Sequence, residues 1–251
     1  MSVDDVAARG FGSSGEAYER GRPSYPAEAV TCLVEELSIG IGARVVEVAA
    51  GTGKFTRLLR STGALVVAVE PVSGMRRVLV DKVPGVCVLA ATAEALPVAT
   101  SMVDAVVVAQ AFHWFEVGEA LAEMARALRG GGGLGLVWND RDDSVPWVAE
   151  LSALIRWNDR PVPNHQDVDW TAAVAATGAF GPLEYRRFRL EQHLDVDTLV
   201  DRVLSTSYIA ARPVAEQAVL AAEVRTLAAD ADLGETFTLP YRTDVFWCHR
   251  R

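Results

Sequence analysis

The sequence predicts a doubly wound α/β sheet, and three observations lead there. Short apolar runs alternate with amphipathic stretches over residues 44–158, the pattern of parallel strands joined by right-handed helical crossovers. The run Ala105-Val106-Val107-Val108-Ala109 is apolar at every position, as a strand covered on both faces requires. The first run, Arg44 to Val48, contains Glu47 and enters the small-residue turn Ala49-Ala50-Gly51-Thr52-Gly53; the second, Leu65 to Val69, stops at Glu70. Strand, small turn, helix, strand, acid is the layout of a nucleoside-cofactor site.

Taken in order, residues 1–15 form a loose arm rich in Gly and Ser. Pro26 to Leu37 is helical, with Val30, Leu33, Val34 and Leu37 on one stripe. Strands follow at 44–48, 65–69, 86–90, 103–109 and 134–138, and helices at 53–61, 72–82, 117–128 and 145–158. Gly130 to Gly133 follows an amphipathic helix and leads into a strand, so it is expected to be a helix C-cap and tight turn rather than a domain boundary. Glu184 to Leu190 alternates like a strand, 196–208 and 213–230 read as helices, and Phe237 to His249 ends in the strand pattern Val245-Phe246-Trp247-Cys248.

The chain has 251 residues, half of them apolar and 23% charged, which fits one globular domain over 1–251. Within it, 1–40 is an arm and helix, 41–140 the cofactor-binding core and 191–235 a helical insertion or lid. The net charge of −9 argues against a nucleic-acid footprint, and Arg186-Arg187-x-Arg189 reads as a solvated strand face. Cys32, Cys87 and Cys248 form no pair at metal or redox spacing and are expected to be buried thiols in a reducing, cytoplasmic setting. The four histidines show no metal-ligand spacing, so no metal is expected. No signal peptide or membrane segment is expected either.

Three details bear on the cofactor. A phosphate-cradling P-loop needs a glycine where Val48 stands and Ser or Thr where Phe55 stands. A dinucleotide fingerprint needs a third glycine where Thr56 stands. The run Glu47-x-Ala49-x-Gly51-x-Gly53 instead resembles the first motif of class I S-adenosylmethionine-dependent methyltransferases, with Ala49 in place of the usual first glycine. That substitution is mild if Ala49 keeps a β conformation. Ala93-Glu94-x-Leu96-Pro97 matches a second family segment, and the arm Tyr18-x-x-x-Arg22-Pro23-x-Tyr25-Pro26, preceded by Phe11, is similar to small-molecule enzymes near the trans-aconitate type, with a methyltransferase type 11 domain. The resemblance implies a Rossmann-like seven-stranded sheet, mostly parallel with an antiparallel C-terminal edge, the helices at 196–230 being an insertion between its last two strands.

The resemblance also implies roles. Glu47, Ala49, Gly51, Thr52 and Gly53 shape the cofactor turn, Glu70 accepts the ribose hydroxyls beside Pro71, and Met75 lies on the adenine face. Ala93 and Glu94 stand near the adenine amine, while Arg22 pairs with the methionyl carboxylate and Tyr18 closes over the pocket. Each has a plainer alternative: a surface acid for Glu70, core packing for Met75, a helix-start carboxylate for Glu94, and an arm packed on the first helix. Gln110 to Phe115 ends the fourth strand and faces the site by the rule that ligands bind at carboxyl ends of parallel strands. His113 is a candidate general base or a packing histidine. Trp138, Trp147, Trp157 and Trp170 suit either a flat apolar substrate or a helical cover. The expected activity is methyl transfer from S-adenosylmethionine to a small molecule, with oxygen as first choice of acceptor. A nicotinamide-dependent oxidoreductase and a non-catalytic S-adenosylmethionine-binding protein remain as alternatives, and monomer or homodimer is open.

Overall fold

The protein, a computed structural model, is described over residues 15–160, 165 and 169–251, with side chains from residue 18 onward. Phe11 and the rest of the expected loose arm up to residue 14 lie outside the described residues. The chain begins with α1 (Gly15–Gly21), α2 (Ala27–Glu36), β1 (Arg44–Val48), α3 (Lys54–Ser61), β2 (Leu65–Val69), α4 (Ser73–Lys82) and β3 (Cys87–Leu89). It continues through β4 (Val103–Ala109), a 3-10 turn (Phe112–Trp114), α5 (Val117–Ala127), β5 (Leu128–Arg141), α6 (Pro146–Leu154) and α7 (Trp170–Ala176). It closes with β6 (Glu184–Leu194), α8 (Val196–Leu204), α9 (Ser207–Ala210), α10 (Val214–Asp230) and β7 (Phe237–His249). The seven strands form one sheet in the order β3-β2-β1-β4-β5-β7-β6, mostly parallel with an antiparallel C-terminal edge, as expected.

The chain divides into two compact units: Tyr25–Asn139, Pro163–Phe188 and Thr243–Arg251 in one, and Met1–Ser24, Asp140–Val162 and Arg189–Arg242 in the other. In the first, side chains alternate across the strands. Val46, Val48, Val106 and Val108 bury with Leu121 and Met124 of α5 and with Trp170 of α7. Val45, Ala105 and Val107 bury on the opposite face with Leu33 of α2 and with Phe55 and Leu59 of α3. Period-two alternation with both faces covered explains why every position of β4 is apolar.

Gly130 to Gly133 is not the expected cap and turn. α5 stops at Ala127, Leu128 is already extended, and β5 runs through the glycines with a register shift against β4. A Cβ at Gly133 would stand 2.5 Å from a Leu37 methyl, and one at Gly135 would stand 2.6 Å from a Leu33 methyl. The glycines let α2 approach the sheet closely, a use that outweighs their weak strand preference. Cys32 and Cys248 are buried as expected, but Cys87 is exposed, because β3 is the edge strand of the sheet.

The second unit has its own core. Val148 and Leu151 of α6, Leu199 and Val203 of α8, Ile209, Val224 of α10, Leu239 and Tyr241 are buried together. The helix expected over 145–158 ends at Leu154, and the one expected over 196–208 breaks at Ser205 into α8 and α9. α1, absent from the sequence expectations, packs on α8. A Cβ on Gly21 would stand 2.5 Å from the Arg202 backbone nitrogen, and Arg20 Nε meets Asp201 Oδ2 at 2.8 Å. No described helix is long and apolar enough to cross a membrane.

Candidate functional site

Strand order reverses at β1, which lies between β2 and β4. In such sheets the crevice at the carboxyl ends of the two diverging strands is the natural ligand position. Two segments of the first unit reach it: the turn after β1 and the segment after β4.

The turn is built from left-handed residues. Gly51 and Gly53 have φ of 59° and 84°, and Ala49, expected to be extended, has φ of 55°. That expectation is overturned because the chain must bend sharply away from β1: the Ala50 amide turns to the Val69 carbonyl at 3.1 Å, and the Gly53 amide donates back to Ala50. Holding an alanine there costs about 1 kcal/mol or more. A Cβ added to Gly51 meets nothing within 4 Å, so its backbone faces open space; one on Gly53 would stand 2.7 Å from Val83 Cγ2.

Glu70 joins this turn to β2. Its Oε2 accepts from the Gly51 amide at 2.9 Å and its Oε1 from the Val72 amide at 2.8 Å. Burial raises the carboxyl above its ordinary pKa, against the lowering pull of these two amides and of Arg76. Each oxygen accepts one bond and keeps a further lone pair. The turn and the acid thus form one unit, and the residues present fit a ribose diol above Gly51.

Glu47 faces inward. It is 1% exposed, accepts from Thr56 Oγ1 at 2.5 Å, and is pushed by burial up to about 8. Thr56, noted at sequence level as a missing glycine, therefore ties α3 to β1. Thr52 is fully buried. Met75 is buried on α4, Pro71 is exposed, and Ala93 is buried among the β4 and α5 side chains. Glu94 Oε1 accepts from the Glu116 amide at 3.0 Å, just ahead of α5.

At the end of β4, Gln110 is also left-handed, with φ of 62°; its amide donates to the Val137 carbonyl at 2.8 Å and its Nε2 to the Asn139 carbonyl at 3.2 Å. His113 follows in the 3-10 turn, and its Nδ1 accepts from Trp138 Nε1 at 3.4 Å. With Nδ1 accepting, a neutral imidazole holds its proton on Nε2. Trp138 stacks on Trp170 at 5.5 Å and on His165 at 5.2 Å, and His165 lies 6.2 Å from His113. In the second unit, Trp147 packs edge-on against Phe237, and Trp157 carries Arg141 at 4.4 Å and Arg160 at 3.9 Å.

Tyr18 and Arg22 belong to the second unit. The Arg22 guanidinium lies 4.9 Å over the Tyr18 ring, and its Nη2 donates to the Ser205 carbonyl at 3.5 Å. Sequence reasoning missed two companions, Arg141 and Arg202, both buried. The available signal for Arg202 was a charge among the apolar positions Leu199, Val200 and Val203 of α8. His165 had no such signal. Among the described residues no group of three metal-ligating side chains occurs.

Comparison with known proteins gives consistent results. Residues 46–136 match a family described as a methyltransferase domain. An uncharacterized methyltransferase of Mycobacterium tuberculosis, Rv3342, is 40% identical over 220 residues, covering 88% of this chain and 82% of its own. An uncharacterized methyltransferase-like protein of Schizosaccharomyces pombe, C25B8.10, is 34% identical over 227 residues, covering 90% and 88%. A Haemonchus contortus phosphoethanolamine N-methyltransferase 2 solved with S-adenosyl-L-methionine shares the fold, with a TM-score of 0.60 at 14% identity, over 99% of this chain and 60% of that one.

Proposed function

The chain belongs to the methyltransferase family, and we propose that it transfers a methyl group from S-adenosylmethionine to an oxygen of a small-molecule acceptor. The observation that supports this most is the Gly51 amide bonded to Glu70 at the switch point, with open space above Gly51. A Glu70 carboxylate already fixed by two backbone amides has its remaining lone pairs set for two adjacent hydroxyls. Gly51, Thr52 and Gly53 present backbone to the methionyl side of the nucleoside, while Pro71, Met75, Ala93 and Glu94 flank the adenine. Ala49 and Gln110 hold the two strand ends apart in strained left-handed conformations, and Glu47 fixes the turn from below through Thr56.

When bound, S-adenosylmethionine supplies an electrophilic methyl on a sulfonium; the carbon–sulfur bond breaks as the acceptor bond forms, and sulfur keeps the electron pair. The chain's residues align the two, exclude water and hold the acceptor. His113 touches the acceptor in this reading. Because Trp138 occupies Nδ1, the Nε2–H is a donor to the acceptor oxygen rather than a base. An acceptor already ionised at neutral pH then needs no proton removed.

Calorimetric titration with S-adenosylhomocysteine and, separately, with NADH tests the cofactor. Binding of the first alone is expected; binding of NADH alone overturns the proposal. Incubation with methyl-labelled S-adenosylmethionine and a panel of carboxylates, phenols and amines tests the reaction, with label expected in an ester or ether. Label in an amine alone would overturn the choice of oxygen.

A further inference from the structure

The second unit holds three arginines with buried guanidinium nitrogens. Arg141 is 6% exposed and Arg202 3% exposed. Arg22 is half-buried, with its Nε fully covered. Five guanidinium nitrogens of these three arginines are buried without a hydrogen-bond partner among the described residues: Nε of Arg22, Nε and both terminal nitrogens of Arg141, and Nη1 of Arg202. The hydroxyl of Thr206 is buried and unpartnered as well. Each arginine repels the others, and burial together with that repulsion holds Arg22 and Arg141 down to about 10.

The surroundings are built. Arg202 Nε donates to the Tyr241 hydroxyl at 3.1 Å, Tyr241 donates to Gln192 Oε1 at 3.1 Å, and Gln192 Nε2 donates to the Gly21 carbonyl at 3.0 Å. This chain of bonds fixes Arg202 and leaves its Nη1 unpaired. The Arg141 guanidinium lies over Trp157, and that of Arg22 over Tyr18. Of the acids in this unit, Asp143 acts on Arg141 and accepts from Ser152 Oγ at 2.8 Å, and Asp201 pairs with Arg20. Leaving buried guanidinium nitrogens without partners costs free energy, more for a charged group than for a neutral one. Guanidiniums favour planar, bidentate oxyanions.

We propose that Arg22, Arg141 and Arg202, with Thr206, form a binding site for a small organic oxyanion, a carboxylate or phosphate group. The site stands on the second unit alone. Its link to the methyl acceptor rests on the function proposed above. The same chemistry is offered by an anionic acceptor and by the methionyl carboxylate of the cofactor.

The test is calorimetric titration of the full chain at low ionic strength with succinate, with inorganic phosphate, and with neutral dimethyl succinate. Succinate or phosphate is expected to bind and the ester not. Arg141→Gln and Arg202→Gln are each expected to weaken that binding at least tenfold. Without anion, both variants are expected to melt at or above the parent temperature, because a repelling charge is removed; arginines that merely hold the fold together would give lower melting temperatures. S-adenosylhomocysteine titration of the same variants separates the sources. A parallel tenfold loss, with succinate competing, assigns the site to the methionyl carboxylate; unchanged affinity assigns it to the acceptor's anionic group. No binding of succinate or phosphate to the parent chain, or equal affinity in both variants, overturns the proposal. A failed search for methylated product leaves these titrations intact and bears on the proposed function alone.

Discussion

Replacing Glu47 by glutamine is expected to make the ligand-free chain more stable and its stability less dependent on pH. Burial raises this carboxyl from an ordinary 4.5 to about 8. Between those values the folded chain keeps a proton that the unfolded chain has released. The stability this group allows is therefore fully present below pH 4.5 and is lost as pH rises through about 8, at about 1.4 kcal/mol per pH unit. At pH 7 the loss amounts to about 3 kcal/mol. Glutamine keeps an oxygen for the Thr56 hydroxyl, which donates at 2.5 Å, and never ionises. Allowing about 1 kcal/mol for an imperfect replacement bond, Glu47→Gln gains about 2 kcal/mol at pH 7 and little at pH 5. Urea unfolding followed by tryptophan fluorescence at pH 5, 6, 7 and 8 measures this, and the difference between parent and variant removes contributions from groups that do not act on Glu47. Parallel pH dependences, or a variant less stable than its parent at pH 8, would refute a buried protonated Glu47.

Glu70→Ala is expected to weaken S-adenosylhomocysteine binding by about 1.5–3 kcal/mol; unchanged affinity in calorimetry removes Glu70 from the ribose. Ala49→Gly is expected to stabilise the chain by about 1 kcal/mol by relieving the left-handed alanine; a lower unfolding midpoint would contradict its φ of 55°. His113→Ala is expected to lower kcat about tenfold or more with cofactor affinity kept, and His113→Gln, which keeps a donor, to lose less. Equal losses in the two would restore His113 as the base, and unchanged turnover in both would assign it to packing.

What was legible in the sequence was local. β1 and β2 have the expected bounds because each is a short β-branched run ended by a turn or an acid, and the Gly51 turn and Glu70 are set by the strand between them. The rest depends on neighbours distant in the chain. Gly130 to Gly133 looked like a turn because the reason for glycine at 133 and 135 is the approach of Leu37 and Leu33, about a hundred residues earlier. Composition does not distinguish Trp138, stacked on Trp170, from Trp157, beneath Arg141. Arg141 and Arg202 are too far apart in sequence for spacing to bring them together. Thr56 read as a departure from a glycine pattern, yet its hydroxyl is the partner of Glu47.

The backbone itself points to the crevice independently of any motif. β1 and β4 are paired with Val48 opposite Val108, and the first left-handed non-glycine residue beyond each strand, Ala49 and Gln110, lies within two residues of that pair. A non-glycine residue in that region costs about 1 kcal/mol or more. A glycine in either place would remove the strain; both residues are only partly buried, Ala49 with its methyl against the core of the first unit. Gln110 has a compensation that glycine lacks, the bond from its amide nitrogen to the Asn139 carbonyl, which ties the end of β4 to β5. Ala49 has no such bond. Its methyl is the one group at the turn that a glycine would not supply; it packs against the core of the first unit and so helps to hold the turn in its left-handed shape. Ala49→Gly should then show opposite signs in two measurements: higher stability of the free chain and weaker binding of S-adenosylhomocysteine. A gain in both would reduce the alanine to tolerated strain.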